Sequence, residues 1–179
     1  MRTVIRLSIV TLAGAVALAA PAAAATSAEL LSCQKAFESN TRSFAKYVAT
    51  KVGACADKVV PCNLAFEIDA VDPTSCLASA TSACAGVPAQ VTEQQAKRAA
   101  KIVTACGLIP FAELQQFVAG LGFFNVVTTC GAATVNDLVD CVLADTRCSR
   151  ERALFHADPR AQESLTDAGV AASFSCVAP

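Results

Sequence analysis

Ten cysteines and a single histidine, His156, make up most of the reactive side chains in this 179-residue chain. All ten cysteines lie between Cys33 and Cys176, and none stands in a Cys-x-x-Cys pair, the spacing that thioredoxin-like exchange and most structural zinc sites use. His156 alone could offer a metal an imidazole nitrogen, so neither a metal nor a cofactor is expected. A hydrolase needs a base beside its nucleophile. His156 follows Arg147, Arg150 and Arg152 at the end of a helical pattern, where it reads as a helix-end partner. Cys148, eight residues earlier on the same helix, is about 12 Å away along the axis. No nucleophile elbow, His-Glu-x-x-His pair, phosphate loop or dinucleotide fingerprint occurs.

The acids give no clearer signal. Glu67, Asp69 and Asp72 cluster but lack the glycine and the final glutamate of a calcium loop, and so read as a solvated loop. Carboxylates for glycoside hydrolysis come from distant segments and leave no local mark. One tyrosine and no tryptophan, however, leave few aromatics to line a sugar cleft. Lys97, Arg98 and Lys101 form a small basic spot with no interleaved aromatic, which does not point to nucleic acid. The expectation is a protein that is not an enzyme.

If the cysteines do no chemistry, they are structural, and the start of the chain points the same way. Arg2 and Arg6 precede an apolar run over residues 7 to 20, followed by Pro21 and small residues, the order of a secretory signal. That run is shorter than the roughly 20 residues of a membrane span, so no stable transmembrane anchor is expected. Residues 1–25 are read as a cleaved signal with Thr26 first in the mature chain, and 26–179 as a single disulfide-rich helical domain. Removing Arg2 and Arg6 from the 14 basic residues leaves 12 against 15 acidic ones. Leu30-Leu31-Ser32-Cys33 resembles a lipobox, but Glu29 separates it from the apolar run, and acylating Cys33 would leave nine cysteines. An even cysteine count in an exported chain reads as a disulfide framework.

Helical spacing supplies the elements that these bridges join. Leu30, Cys33, Phe37, Phe44, Val48, Val52, Cys55 and Val59 recur at steps of three, four or seven, predicting a long amphipathic helix that Pro61 limits. Residues 61 to 90 carry turn signals around one short helix over 75–85. Thr92 and Gln95 read as a capping box opening a helix that Gly107 closes. Pro110 suits the first turn of a third helix with the face Phe111, Leu114, Phe117, Val118 and Leu121, ended by Gly120 and Gly122. The apolar stretch 123–127 could be a strand, but it would have no partner. Thr134 caps a fourth helix running to about Phe155, and a short one follows Pro159 and stops at Gly169. The fold expected is all-α, a disulfide-stapled bundle of four main helices plus one or two short ones, in an exported or periplasmic setting.

Cys141 and Cys148 share a helix face yet stand about 10.5 Å apart along it, too far for a bridge whose alpha carbons lie within about 7 Å. Each must reach another element. If the first helix and the Thr92 helix form an antiparallel hairpin, a nested ladder follows: Cys33 with Cys106, Cys55 with Cys84, Cys62 with Cys76. Cys130 with Cys141 and Cys148 with Cys176 is the preferred pairing of the rest, although spacing alone leaves other connectivities open.

Apolar excess around residues 108 to 127 leaves the most room for function. It forms core, or else Phe111, Phe117, Phe123 and Phe124 line a pocket for a small apolar ligand. An exposed 120s segment would favour association, a buried one a monomer. The function expected is that of a secreted binding or structural module, with another exported protein or a cell-surface component as partner. The alternative is carriage of a small lipid-like ligand.

Plant lipid-transfer proteins and secreted phospholipases are also stapled helical domains, but this chain lacks the Cys-Cys and Cys-x-Cys of the first and the catalytic His-Asp pattern of the second. Cys33-Gln34-Lys35-Ala36, joined to Cys55 by a lysine-dotted helix, resembles uncharacterised exported cysteine-rich proteins of bacteria. The resemblance covers about 25 residues and implies an exported, bridged helical fold without implying an activity.

Overall fold

The computed structural model describes residues 24 to 174 and residue 176; the proposed signal lies almost wholly outside them. Among the described residues the chain is all-α, with α1 (Ser27–Asp69), α2 (Thr74–Cys84), α3 (Val87–Cys106), α4 (Phe111–Gln115), α5 (Phe124–Cys130), α6 (Val135–Ala157), α7 (Ala161–Asp167) and a closing 3₁₀ turn (Ala171–Ser173). No helix among them is long and apolar enough to cross a membrane by itself.

The spine is α1. Cys33, Phe37, Phe44, Val48, Val52, Cys55, Val59 and Cys62 fall three, four or seven apart and are all buried, so one stripe of the helix faces the core along its length. A capping box starts it: Glu29 N–H donates to the Thr26 hydroxyl at 3.3 Å, and Thr26 N–H donates to the Glu29 carboxylate at 2.7 Å. α3 returns antiparallel along α1 and buries Val87, Val91 and Ile102 against it. α6 lies on another side of α1, with Leu138, Val139 and Leu143 buried. Leu165 and Phe174 fill the space that α7 and the final turn cover.

Five disulfides join these elements in the pairing of the expected ladder: Cys33–Cys106, Cys55–Cys84, Cys62–Cys76, Cys130–Cys141 and Cys148–Cys176, with alpha carbons 4.8 to 6.1 Å apart. Such a set belongs to an oxidising environment. The hairpin of α1 and α3 makes the nesting possible, because antiparallel helices match the start of one with the end of the other.

Four local expectations fail. Pro61 does not limit the first helix, which continues to Asp69. Pro61 and Asp57, the residue whose carbonyl loses its donor, are both exposed, so the break in the helix ladder lies on its solvent side. The turns beyond Pro61 are held from outside, by Cys62–Cys76, by Asn63 donating to Asp167 at 2.7 Å and by Glu67 with Arg160 at 2.6 Å. These ties offset the roughly 3 kcal/mol that an interior proline costs. Most of residues 61 to 90 is therefore helical.

Thr92 caps nothing. α3 starts at Val87 with Pro88 in its first turn, where no donor is needed, and the Thr92 hydroxyl donates back to the Pro88 carbonyl at 3.1 Å. Burial of Val87 and Val91 draws the helix back beyond the local capping signal.

The third expected helix shrinks to α4. The chain turns extended at Gln116 and folds back, with Gly122 N–H donating to Gln116 and Phe123 N–H to Leu114, each at 3.0 Å. Gly120 comes so close to the Glu113 carbonyl oxygen that a β-carbon there would collide with it. Gly122, at φ 71°, supplies the left-handed turn. The 123–127 stretch is mostly helix as well, since α5 satisfies its backbone internally where a strand would find no ladder.

Candidate functional site

Between Glu113 and Asp137 the chain carries no charged residue. The fold-back after α4 turns part of that segment outward: Phe117 is 68% exposed, Val118 100% and Phe124 50%. Phe117 and Phe124 lie beside one another, with ring centroids 6.2 Å apart and planes tilted by 52°. The helical pattern had Phe117 and Val118 facing inward, but only Leu114 of that face is fully buried.

Two ties place this surface at the end of the bundle where α1 begins. Ala25 N–H donates to the Glu113 carboxylate at 2.9 Å, which holds α4 beside the start of α1. Cys33–Cys106 holds the end of α3 there too, so Leu31 and Leu108, 49% and 88% exposed, belong to the same end. Uncharged aromatic surface of this kind is what the centre of a protein interface is made of.

The four phenylalanines expected to line a pocket separate. Phe111 is half-buried against the core, and Phe123 packs on Phe37 with centroids 4.6 Å apart. Phe117 and Phe124 lie at the surface and do not enclose a cavity with them. All ten cysteines are bridged. His156 stands exposed in the last turn of α6.

The acids are mostly engaged locally. Glu67 takes two hydrogen bonds from Arg160, at 2.6 and 2.9 Å, and Arg160 also reaches Glu163 at 3.0 Å. Hydrogen bonds from Arg160 hold the Glu163 carboxyl below its ordinary range. Asp72 accepts from the Thr74 hydroxyl and amide, which lower its carboxyl likewise. Lys97 of the basic spot pairs with Glu93 at 2.6 Å.

One feature escaped sequence reasoning. Glu151 is fully buried on α6, where its Oε1 accepts from Arg147 at 2.7 Å and its Oε2 has no hydrogen-bond partner among the described residues. The only signal was the four-residue spacing of Arg147 and Glu151, which on most helices marks a solvated pair. Compared with protein-family models, curated proteins and solved structures, the chain matches none.

Proposed function

We propose that the protein is an exported binding module, without catalytic chemistry of its own, that docks another exported protein through the apolar end carrying Phe117, Val118 and Phe124. The observation that supports it most is the Phe117–Phe124 pair: two large rings in contact, both substantially exposed, on a segment without charge. Solvating such a pair costs free energy that burial against a partner recovers, at roughly 25 cal/mol per Å² of apolar surface. The five bridges support the rest of the reading, since they hold the end rigid in an extracellular or periplasmic setting and lower the ordering cost of association. The partner surface is apolar and uncharged at its centre, and cell-surface components of that character would also fit.

Cross-linking in the intact secreting cell, with wild type and a Phe117→Ser/Phe124→Ser variant compared, tests this. Wild type should yield a discrete cross-linked species that the variant loses while keeping its helical circular dichroism. Identical cross-linking by the two proteins would reject the docking surface. A species at twice the chain mass would identify the partner as a second copy.

A further inference from the structure

We infer that a trench along the seam of α1 and α6 is a binding site for a fatty carboxylate, with its tail against α5 and its anionic end at Arg150 and Lys46. Three hollows join to make the trench. The first, of about 440 Å³, lies between α5 and α6 and is lined chiefly by Phe123, Val126 and Val142, with the Cys130–Cys141 bridge in its wall. It shares Asp145 and Thr146 with the second, of about 470 Å³, which runs over Phe37, Thr41 and Ser149. That in turn shares Arg42, Ala45 and Arg150 with a third, of about 250 Å³, which adds Lys46. The volumes lie within or near the range of roughly 300 to 1,000 Å³ common for small-molecule sites.

The lining changes character in one direction. Apolar groups dominate at α5, hydroxyls follow at Thr146 and Ser149, and Arg42, Lys46 and Arg150 gather at the far end. Phe37 of the second hollow packs on Phe123 of the first, with ring centroids 4.6 Å apart, which links the two. Arg42 is neutralised by Glu38 at 2.7 Å, whereas Lys46 and Arg150 pair with no carboxylate among the described residues.

Asp145, at the boundary of the apolar hollow, is the acid on the lining that pairs with no cation among the described residues, and it sets the polarity: an anion placed beside it would be repelled, so the carboxylate belongs at the opposite end. From Val142 to Arg150 the helix rises about 12 Å, which an extended medium-chain acid spans. The arrangement is independent of the Phe117–Phe124 surface, and of these two rings and Phe123 it uses only the last.

The test is calorimetric titration of the intact disulfide-bonded protein with decanoate below its micelle concentration, alongside decyltrimethylammonium and decanol. Decanoate should bind at a stoichiometry of one and at least tenfold more tightly than either control. A Lys46→Glu/Arg150→Glu variant should bind it at least tenfold more weakly, and Val126→Asp should abolish binding, both with unchanged helical circular dichroism. Phe117→Ser/Phe124→Ser should leave binding intact, so failure here and failure of the docking surface are distinguishable. Absence of decanoate binding, equal binding of the cationic amphiphile, or unchanged affinity in the charge-reversed variant would overturn the assignment.

Discussion

The amide of Ala25 donates to the carboxylate of Glu113 at 2.9 Å across 88 residues of sequence, joining the entry of α1 to the one-turn helix that precedes the exposed Phe117. The proposed signal could be cleaved on either side of Ala25, and the two products would differ at this contact. A chain starting at Ala25 keeps it and turns it into an ammonium–carboxylate pair, while one starting at Thr26 loses it. The Ala25 product should be the more stable by about 1.5–3 kcal/mol, the scale of a hydrogen bond to a charged group. Thermal melts of the two products check this, with Glu113→Gln expected to reduce the difference.

The bridges should not contribute equally. Cys33–Cys106 closes a separation of 73 residues, shortened by the two bridges nested inside it, whereas Cys130–Cys141 closes 11. In the chain-entropy account the larger loop stabilises more. Replacing both cysteines of Cys33–Cys106 by serine should cost about 1 kcal/mol more than the same change at Cys130–Cys141. Urea midpoints of the two double variants give the comparison.

Acid should weaken the caps of α1 and α6. Hydrogen bonds from Thr26 hold the Glu29 carboxyl below its ordinary range, and hydrogen bonds from Thr134 and Ala133 do the same for Asp137. A carboxyl lowered by folding contributes stability that is fully present above its unfolded value, about 4. That contribution is lost as pH falls through the lower folded value, because the unfolded chain takes up protons first. Melting temperature should therefore fall below about pH 4, and Thr134→Val should show a smaller fall over that range than wild type.

Glu151 is a point of vulnerability. Its partner Arg147 is only 15% exposed, so Glu151→Ala would leave a mostly buried cation without this carboxylate. The expected loss is about 3 kcal/mol, and a joint Arg147→Met/Glu151→Leu change should recover most of it, since a buried ion pair is often replaceable by packed apolar groups. Denaturant unfolding of the two variants decides.

Long-period features were legible without coordinates. The stripe of α1 rests on helix geometry, and the nested bridges on that geometry together with the reach of a disulfide and an antiparallel pairing of the first helix with α3. Signals carried by one or two residues were legible only where packing agreed with them, as at Thr134, Gly107 and Gly169. Pro61 and Thr92 announced boundaries that Cys62–Cys76, Asn63–Asp167 and buried Val87 overrode, because tertiary contacts outweigh a local preference worth a few kcal/mol.

The functional surfaces lay furthest from view. Periodicity assigned Phe117 and Val118 to an inner face, and only the return of Gly120 against the Glu113 carbonyl turns them to solvent. The trench needs side chains of α1, α5 and α6 that stand about 100 residues apart in sequence. Residue spacing by itself determined that this chain is helical and which cysteines cannot meet, such as Cys141 and Cys148, while the antiparallel packing of α1 and α3 decided the pairing. Which apolar groups are core and which are surface was decided only by packing, because a hydrophobic pattern records that a side chain avoids water without recording what covers it.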